Sequence, residues 1–261
     1  MAIETPRTPA PPALGPGADP WAALRRYTPA RIAQGRTGVS LPTSAVLEFG
    51  QAQAAARDAV HAPFDADALL SRLRAAGLPA LAVHSAAASR DQYLRRPDLG
   101  RRLDEASQIA LAAARAPAPP DLVVVVADGL CAGAVAAHAL PLLRHLLPLV
   151  PHLQLGPVVV AVQARVALGD EIAQLLRARA VAVCIGERPG LSATDSMGIY
   201  VTWAPCVGRT DAQRNCLSNV RPQGLDCAAA ARDLAALLQA AAAAGFSGVQ
   251  LKVDRPATQI E

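Results

Sequence analysis

Between Trp21 and Arg115 the apolar positions recur with helical spacing. Thr43 to Val60 carries Leu47, Ala54 and the charged Arg57-Asp58 on an alanine background. Asp67 to Ala76 sets Leu69, Leu70 and Leu73 on one stripe, and Gly77 and Pro79 predict where that helix stops. Further helices are expected over Arg90–Tyr93 and Asp104–Arg115. The proline-rich "APAPP" at 116–120 then interrupts the pattern. Beyond it, "DLVVVVADGL", "PVVVAVQAR" and "AVAVCIGE" are unbroken apolar runs rich in β-branched residues, as strands buried on both faces require. Helices are expected between them, over Ala132–Leu147 and from near Asp170. "GIYVTW" reads as a fourth strand. Asp226 caps a helix that runs to Ala244, with Gly245 just past its end. "GVQLKV" reads as a final strand.

Strand–helix alternation of this kind predicts an α/β fold around an open, mostly parallel sheet. Three regions follow: a disordered tail over 1–20, rich in Pro and Gly; an N-terminal helical segment over 21–118; and an α/β domain over 119–261.

Composition narrows the function. The chain has 261 residues, 52% hydrophobic and 3% aromatic, with a net charge of +4. Nearly all basic charge is arginine, Lys252 being the one lysine, and no basic stripe is interleaved with aromatics, so nucleic acid is not the expected partner. No membrane span is expected. The nearest candidate, Ala132–Val150, is interrupted by His138, Pro141, Arg144, His145 and Pro148. The five cysteines, Cys131, Cys184, Cys206, Cys216 and Cys227, contain no C-x-x-C pair and read as reduced thiols, several of them buried.

Ligands of open α/β sheets bind beyond the carboxyl ends of the strands. Asp128-Gly129, Arg165-Val166, Gly186-Glu187-Arg188 and Pro205-Cys206 follow the four predicted strands. Glu187 therefore stands where a sheet presents groups to a ligand. A surface ion pair with Arg188, or a helix cap, is the alternative use. "ADGLCAG" lacks both glycine patterns of nucleotide loops, and Asp128 reads equally well as a loop cap. His138 and His145 are seven residues apart, on one helix face, but have no acidic partner at metal-ligand spacing. "RNCLSNVRPQGL" is a dense polar loop in which Cys216 lacks an identifiable base. A stand-alone nucleotide enzyme and a non-catalytic interaction module are both compatible with these features.

The stretches "LRRYTPARIAQGRTGVSLPT", "ARDAVH", "LVVVVADGL", "ARVALGDEI", "VCIGERPGLSATDSMGIY", "RNCLSNVRPQGL" and "GVQLK" follow one another from Leu24 to Lys252. In sequence and order they resemble the small subunit of ethanolamine ammonia-lyase. The resemblance implies a Rossmann-like α/β domain and conversion of ethanolamine to acetaldehyde and ammonia. It also implies a large-subunit partner with most of the active site, and adenosylcobalamin held between the two with its own base on cobalt. The absence of D-x-H-x-x-G agrees with that binding mode. The family's cofactor-contact positions fall on Val166, Glu187 and Cys216; no catalytic or metal-binding residue is expected in this chain. A cytoplasmic location follows from the resemblance, with enclosure in a bacterial microcompartment open to family members.

Overall fold

The computed structural model describes residues 21–252; the tail reading for 1–20 lies outside them. The chain forms two compact units, Met1–Ala55 and Ala56–Glu261. The described part of the first holds a 3-10 turn over Ala22–Tyr27, a bridge between Thr37 and Ser40, and the opening of helix α1 (Thr43–His61). Trp21, Tyr27, Val39 and Leu47 are exposed there.

The second unit is mixed α/β, with six strands in one mostly parallel sheet. These are β1 (Ala80–His84), β2 (Leu122–Ala127), β3 (Val158–Val162), β4 (Ala180–Gly186), β5 (Met197–Trp203) and β6 (Asn215–Val220), in the order β1-β3-β2-β4-β5-β6. The first four in that order run parallel; β5 lies antiparallel to both β4 and β6. Alternate side chains of each strand face opposite layers. Val124, Val126 and Cys184 face helices α2 (Ala66–Ala75), α5 (Ala132–Leu146) and α7 (Cys227–Ala244). Val123, Val125 and Val183 face α4 (Glu105–Ala113) and α6 (Leu168–Leu176). All six residues of β2 and all seven of β4 are buried, which is why both strands read as continuous apolar runs.

Local signals set the helix ends; the Asp226 cap and Gly245 were expected, and the Asp65 and Ser89 caps were not. The Asp65, Ser89, Asp104 and Asp226 side chains each accept a backbone N–H in the first turn of α2, α3 (Arg90–Arg95), α4 and α7. Gly245 closes α7 at φ +77°, a conformation glycine adopts without steric cost. α7 reaches the length and mean hydropathy of a spanning helix, a candidate the sequence reading passed over. Here Ala230, Leu234, Leu238 and Ala241 pack one face of it against the sheet, and most of its other residues are not buried.

Four expectations are corrected. The helical reading of 21–115 missed β1, whose five residues pair in register with β3. "RNCLSN" is β6 and not a loop; its Asn and Ser residues hide a strand whose Leu217 and Val220 are buried. "GVQLKV" is no strand through its described residues, up to Lys252. Gly248, at φ +108°, turns the chain so that its N–H meets the Asn215 side chain and Val249 N–H meets Ala212. Finally, Pro205-Cys206 does not stand with the other strand ends. Trp203 pairs with Ala180 and Met197 with Gly186, so the end of β5 lies at the opposite edge of the sheet. The link Glu187–Ser196 contains no helix, and a parallel return would need a longer crossover.

Candidate functional site

The carboxyl edge is closed where β2 meets β3. The Asp128 carboxylate accepts N–H bonds from Gly129 (2.9 Å), Gln163 (3.0 Å) and Ala164 (3.0 Å), and the Arg90 guanidinium lies 3.4 Å away. Burial raises the Asp128 pKa, and the Ala164 amide and Arg90 oppose it. Arg90 also donates to Gly129 O and Val60 O. Asp128 is thus a loop cap. The adjoining turn is no phosphate cradle: Leu130 N–H is spent on Gly186 O. Gly186 has no room for a Cβ, which would stand 2.1 Å from Cys131 O, so the β2 and β4 loops lock together.

Next to this closed edge, β5 and β6 present an open face. α4 and α6 cover β1 to β4 on that side, and the cover ends at β5. Across the register, Val183 is beside Tyr200 and Tyr200 beside Cys216, so apolar side chains give way to polar ones as the helical cover runs out. Tyr200 and Cys216 are register partners across β5 and β6, and each side chain influences the other's titration. Burial and this pairing push Tyr200 up to about 12. Burial also raises the Cys216 thiol, reinforced by the Glu187 carboxylate and opposed by Tyr200. The raised pKa favours the thiol form of Cys216, although the residue itself is exposed.

Glu187 leaves the end of β4 and lies over Gly198; a Cβ there would stand 3.0 Å from Glu187 Oε1. That oxygen accepts the Ser218 hydroxyl at 2.7 Å, and the Asn219 N–H reaches Oε1 at 3.3 Å and Oε2 at 3.2 Å. Asn219 sits at φ +61°, where asparagine is among the best-tolerated non-glycine residues, and this turns its N–H toward the carboxylate. Glu187 is therefore fixed by β6 and not by Arg188, which is exposed and has no bonded partner among the described residues.

Val166 opens the turn into α6. Together with Tyr200, Leu130, Arg165 and Arg188 it lines a cavity of about 770 Å³. Of the three residues expected to share a ligand, Val166 lines this cavity with Tyr200, and Glu187 and Cys216 lie beside Tyr200 without lining it. Beneath them, Arg214 holds Asp170 with two bonds of 2.7 and 2.6 Å and donates to Thr202 at 2.9 Å. Burial works against the Arg214 charge, but Asp170 outweighs it and raises its pKa. This pair ties the start of α6, next to Val166, to the start of β6, next to Cys216. Sequence reasoning did not single out Tyr200, Asp170 or the Arg214–Asp170 pair. The alternation of Gly198, Tyr200 and Thr202 against Ile199 and Val201 marks one polar face of β5. Nothing in the spacing of Asp170 and Arg214 marks them as partners.

Comparison with known proteins gives the family. The family model described as ethanolamine ammonia-lyase light chain (EutC) matches residues 18–252. The chain is 53% identical over 247 residues to the ethanolamine ammonia-lyase small subunit of Pseudomonas aeruginosa (strain UCBPP-PA14), covering 93% of this chain and 90% of that one. It is 54% identical over 238 residues to that of Ralstonia nicotianae, covering 90% and 88%. The match to the Azotobacter vinelandii protein is 52% over 247 residues, covering 93% and 92%. With the matched region spanning both compact units and the whole open face of β5 and β6, the chain belongs to the ethanolamine ammonia-lyase small-subunit family.

Proposed function

We propose that this chain, a Rossmann-like α/β subunit, forms one wall of a base-on adenosylcobalamin site. The other wall comes from the large subunit, and the assembled enzyme converts ethanolamine to acetaldehyde and ammonia. The observation that carries the reading is the convergence of Val166, Glu187 and Cys216 around Tyr200 on the uncovered face of β5 and β6. The residues suit such a ligand. A corrin is broad and apolar with amide arms, and it needs a wide wall with few acceptors. Val166 and Leu130 supply apolar surface. Glu187 supplies an acceptor held in place by Ser218 and Asn219, with lone pairs of Oε2 left for an amide N–H or a ribose hydroxyl. Cys216 supplies packing.

When bound, the cofactor supplies homolysis of its cobalt–carbon bond, which starts radical chemistry. This chain's residues bind and orient it and shield one side from water. No proton transfer is assigned to them: Cys216 stays a thiol, and Asp128 is consumed as a cap. The exposed Trp21, Tyr27, Val39 and Leu47 are apolar surface that a partner subunit would cover. Five free cysteines fit the reducing cytoplasm; enclosure in a microcompartment rests on the resemblance alone.

The test is co-purification with the large subunit, with and without adenosylcobalamin. The isolated chain should show no ammonia-lyase activity and bind cobalamin weakly, and the assembled pair should retain it. Robust deamination by the isolated chain would overturn the proposal.

A further inference from the structure

The same cavity carries a charge that the Val166, Glu187 and Cys216 wall does not use. Arg101, Arg165, Arg188 and Arg209 all line it, against one carboxylate, Asp211. Asp211 is turned to Arg214, 3.4 Å away. Glu187, adjacent in sequence to Arg188, is committed to Ser218 and Asn219. Arg165 stacks on the Tyr93 ring at 4.3 Å, and its buried Nε has no hydrogen-bond partner. Arg209 gives Nε and Nη2 to the neutral Ala204 carbonyl, leaving Nη1. Arg101 and Arg188 are exposed and have no ion-pair partner among the described residues. Four guanidiniums around one cavity repel one another unless an anion joins them, and guanidinium is the side chain best matched to a phosphate.

We infer that these arginines form an anion subsite which takes the phosphodiester of the cofactor's nucleotide tail. The inference rests on the cobalamin reading above. Within that reading the phosphodiester is the natural anion, because the corrin's own side arms are neutral amides. Val166 and Glu187 would then face the ring periphery, and the arginine rim would fix which way the tail runs.

The experiment uses the assembled two-subunit enzyme and two probes, cobalamin and cobinamide. Cobinamide keeps the corrin and lacks the phosphodiester and base. Binding is read from the change in corrin absorbance, without turnover. In the double variant Arg101→Ala/Arg188→Ala, cobalamin affinity should fall about 10- to 150-fold, as for loss of a charge-assisted hydrogen bond. Cobinamide affinity should be unchanged. Neither arginine has a bonded partner to lose, so the fold should persist; Arg188→Lys should recover part of the loss. Equal losses for both probes, or no loss for cobalamin, would overturn the anion subsite and leave the cobalamin wall standing. Failure of the parent complex to bind either probe would overturn the wall itself, and the subsite with it.

Discussion

The sheet has two halves built on different terms. In β3, β2 and β4, both faces are covered by helices and the side chains are aliphatic but for Cys184 and Gly186; the edge strand β1 is exposed at Ala82 and ends in His84. In β5 and β6, α7 covers one face; on the other, Gly198 and Thr202 are buried under Glu187 and Arg214, and Tyr200, Cys216 and Ser218 are left more open. The covered half gains its stability from apolar area removed from water. The half-covered one keeps acceptors and a cavity wall in reach of a ligand or partner. The proposed site sits where the second helix layer stops, with Val166 and Glu187 reaching it from the ends of β3 and β4. Between β2 and β3, Asp128 and Arg90 have already closed the crevice.

The seam between the halves is the place to break this contrast. Arg214→Ala would strand the Asp170 carboxylate, buried at the start of α6. Removal of one partner of a buried pair costs about 3–5 kcal/mol. Urea unfolding should show that loss, and a shape-matched apolar replacement of both residues should recover most of it. A single variant as stable as the parent would mean that the pair does not join the two halves.

Glu187 tests the open face itself. Glu187→Ala removes an acceptor, and cobalamin affinity of the assembled enzyme should fall about 10- to 150-fold, equivalent to roughly 1.5–3 kcal/mol. Glu187→Gln should lose less, because its carbonyl still accepts. If titration finds both variants equal to the parent, Glu187 serves β6 alone.

The smallest effect is expected at Cys216. Cys216→Ser should keep turnover within about tenfold, about 1.4 kcal/mol in barrier. Complete loss of turnover with cofactor retained would give the thiol a chemical role. The thiol can also be read directly in the isolated chain. Its pKa is raised, so a smaller fraction is thiolate at any given pH than for an ordinary cysteine, and alkylation by iodoacetamide should be slow at pH 8 and accelerate only as pH rises further. Glu187→Gln removes a negative charge that disfavours the thiolate, so the alkylation profile should move to lower pH. An unshifted profile would separate the two residues electrostatically.

Much of this molecule could be read from its residues in order. Runs such as Leu122–Ala127 and Ala180–Gly186 specify buried strands because a strand covered on both faces has no polar position to show. Asp104, Asp226 and Gly245 specify helix ends because caps act on backbone groups within a turn of themselves. The motifs around Val166, Glu187 and Cys216 carried the family resemblance, because their identity and order survive without any knowledge of the fold.

Other features exist only once distant segments meet. The Arg214–Asp170 pair and the Glu187 bonds to Ser218 and Asn219 are made by residues far apart in the chain, and neither segment contains a periodicity that names its partner. β6 was hidden because an edge strand buried on one face tolerates asparagine and serine, which local propensity assigns to loops. The direction of β5 was hidden because a strand reads alike either way; the short link after Glu187 decided it. The arginine rim needed both, for Arg101 and Arg165 reach the cavity from the α4–α6 side, and Arg188 and Arg209 from the two ends of β5. Sequence set the buried strands and helix caps through local backbone chemistry, and the family through the identity and order of its motifs. Tertiary structure set the site, because electrostatics and cavities depend on distance in space.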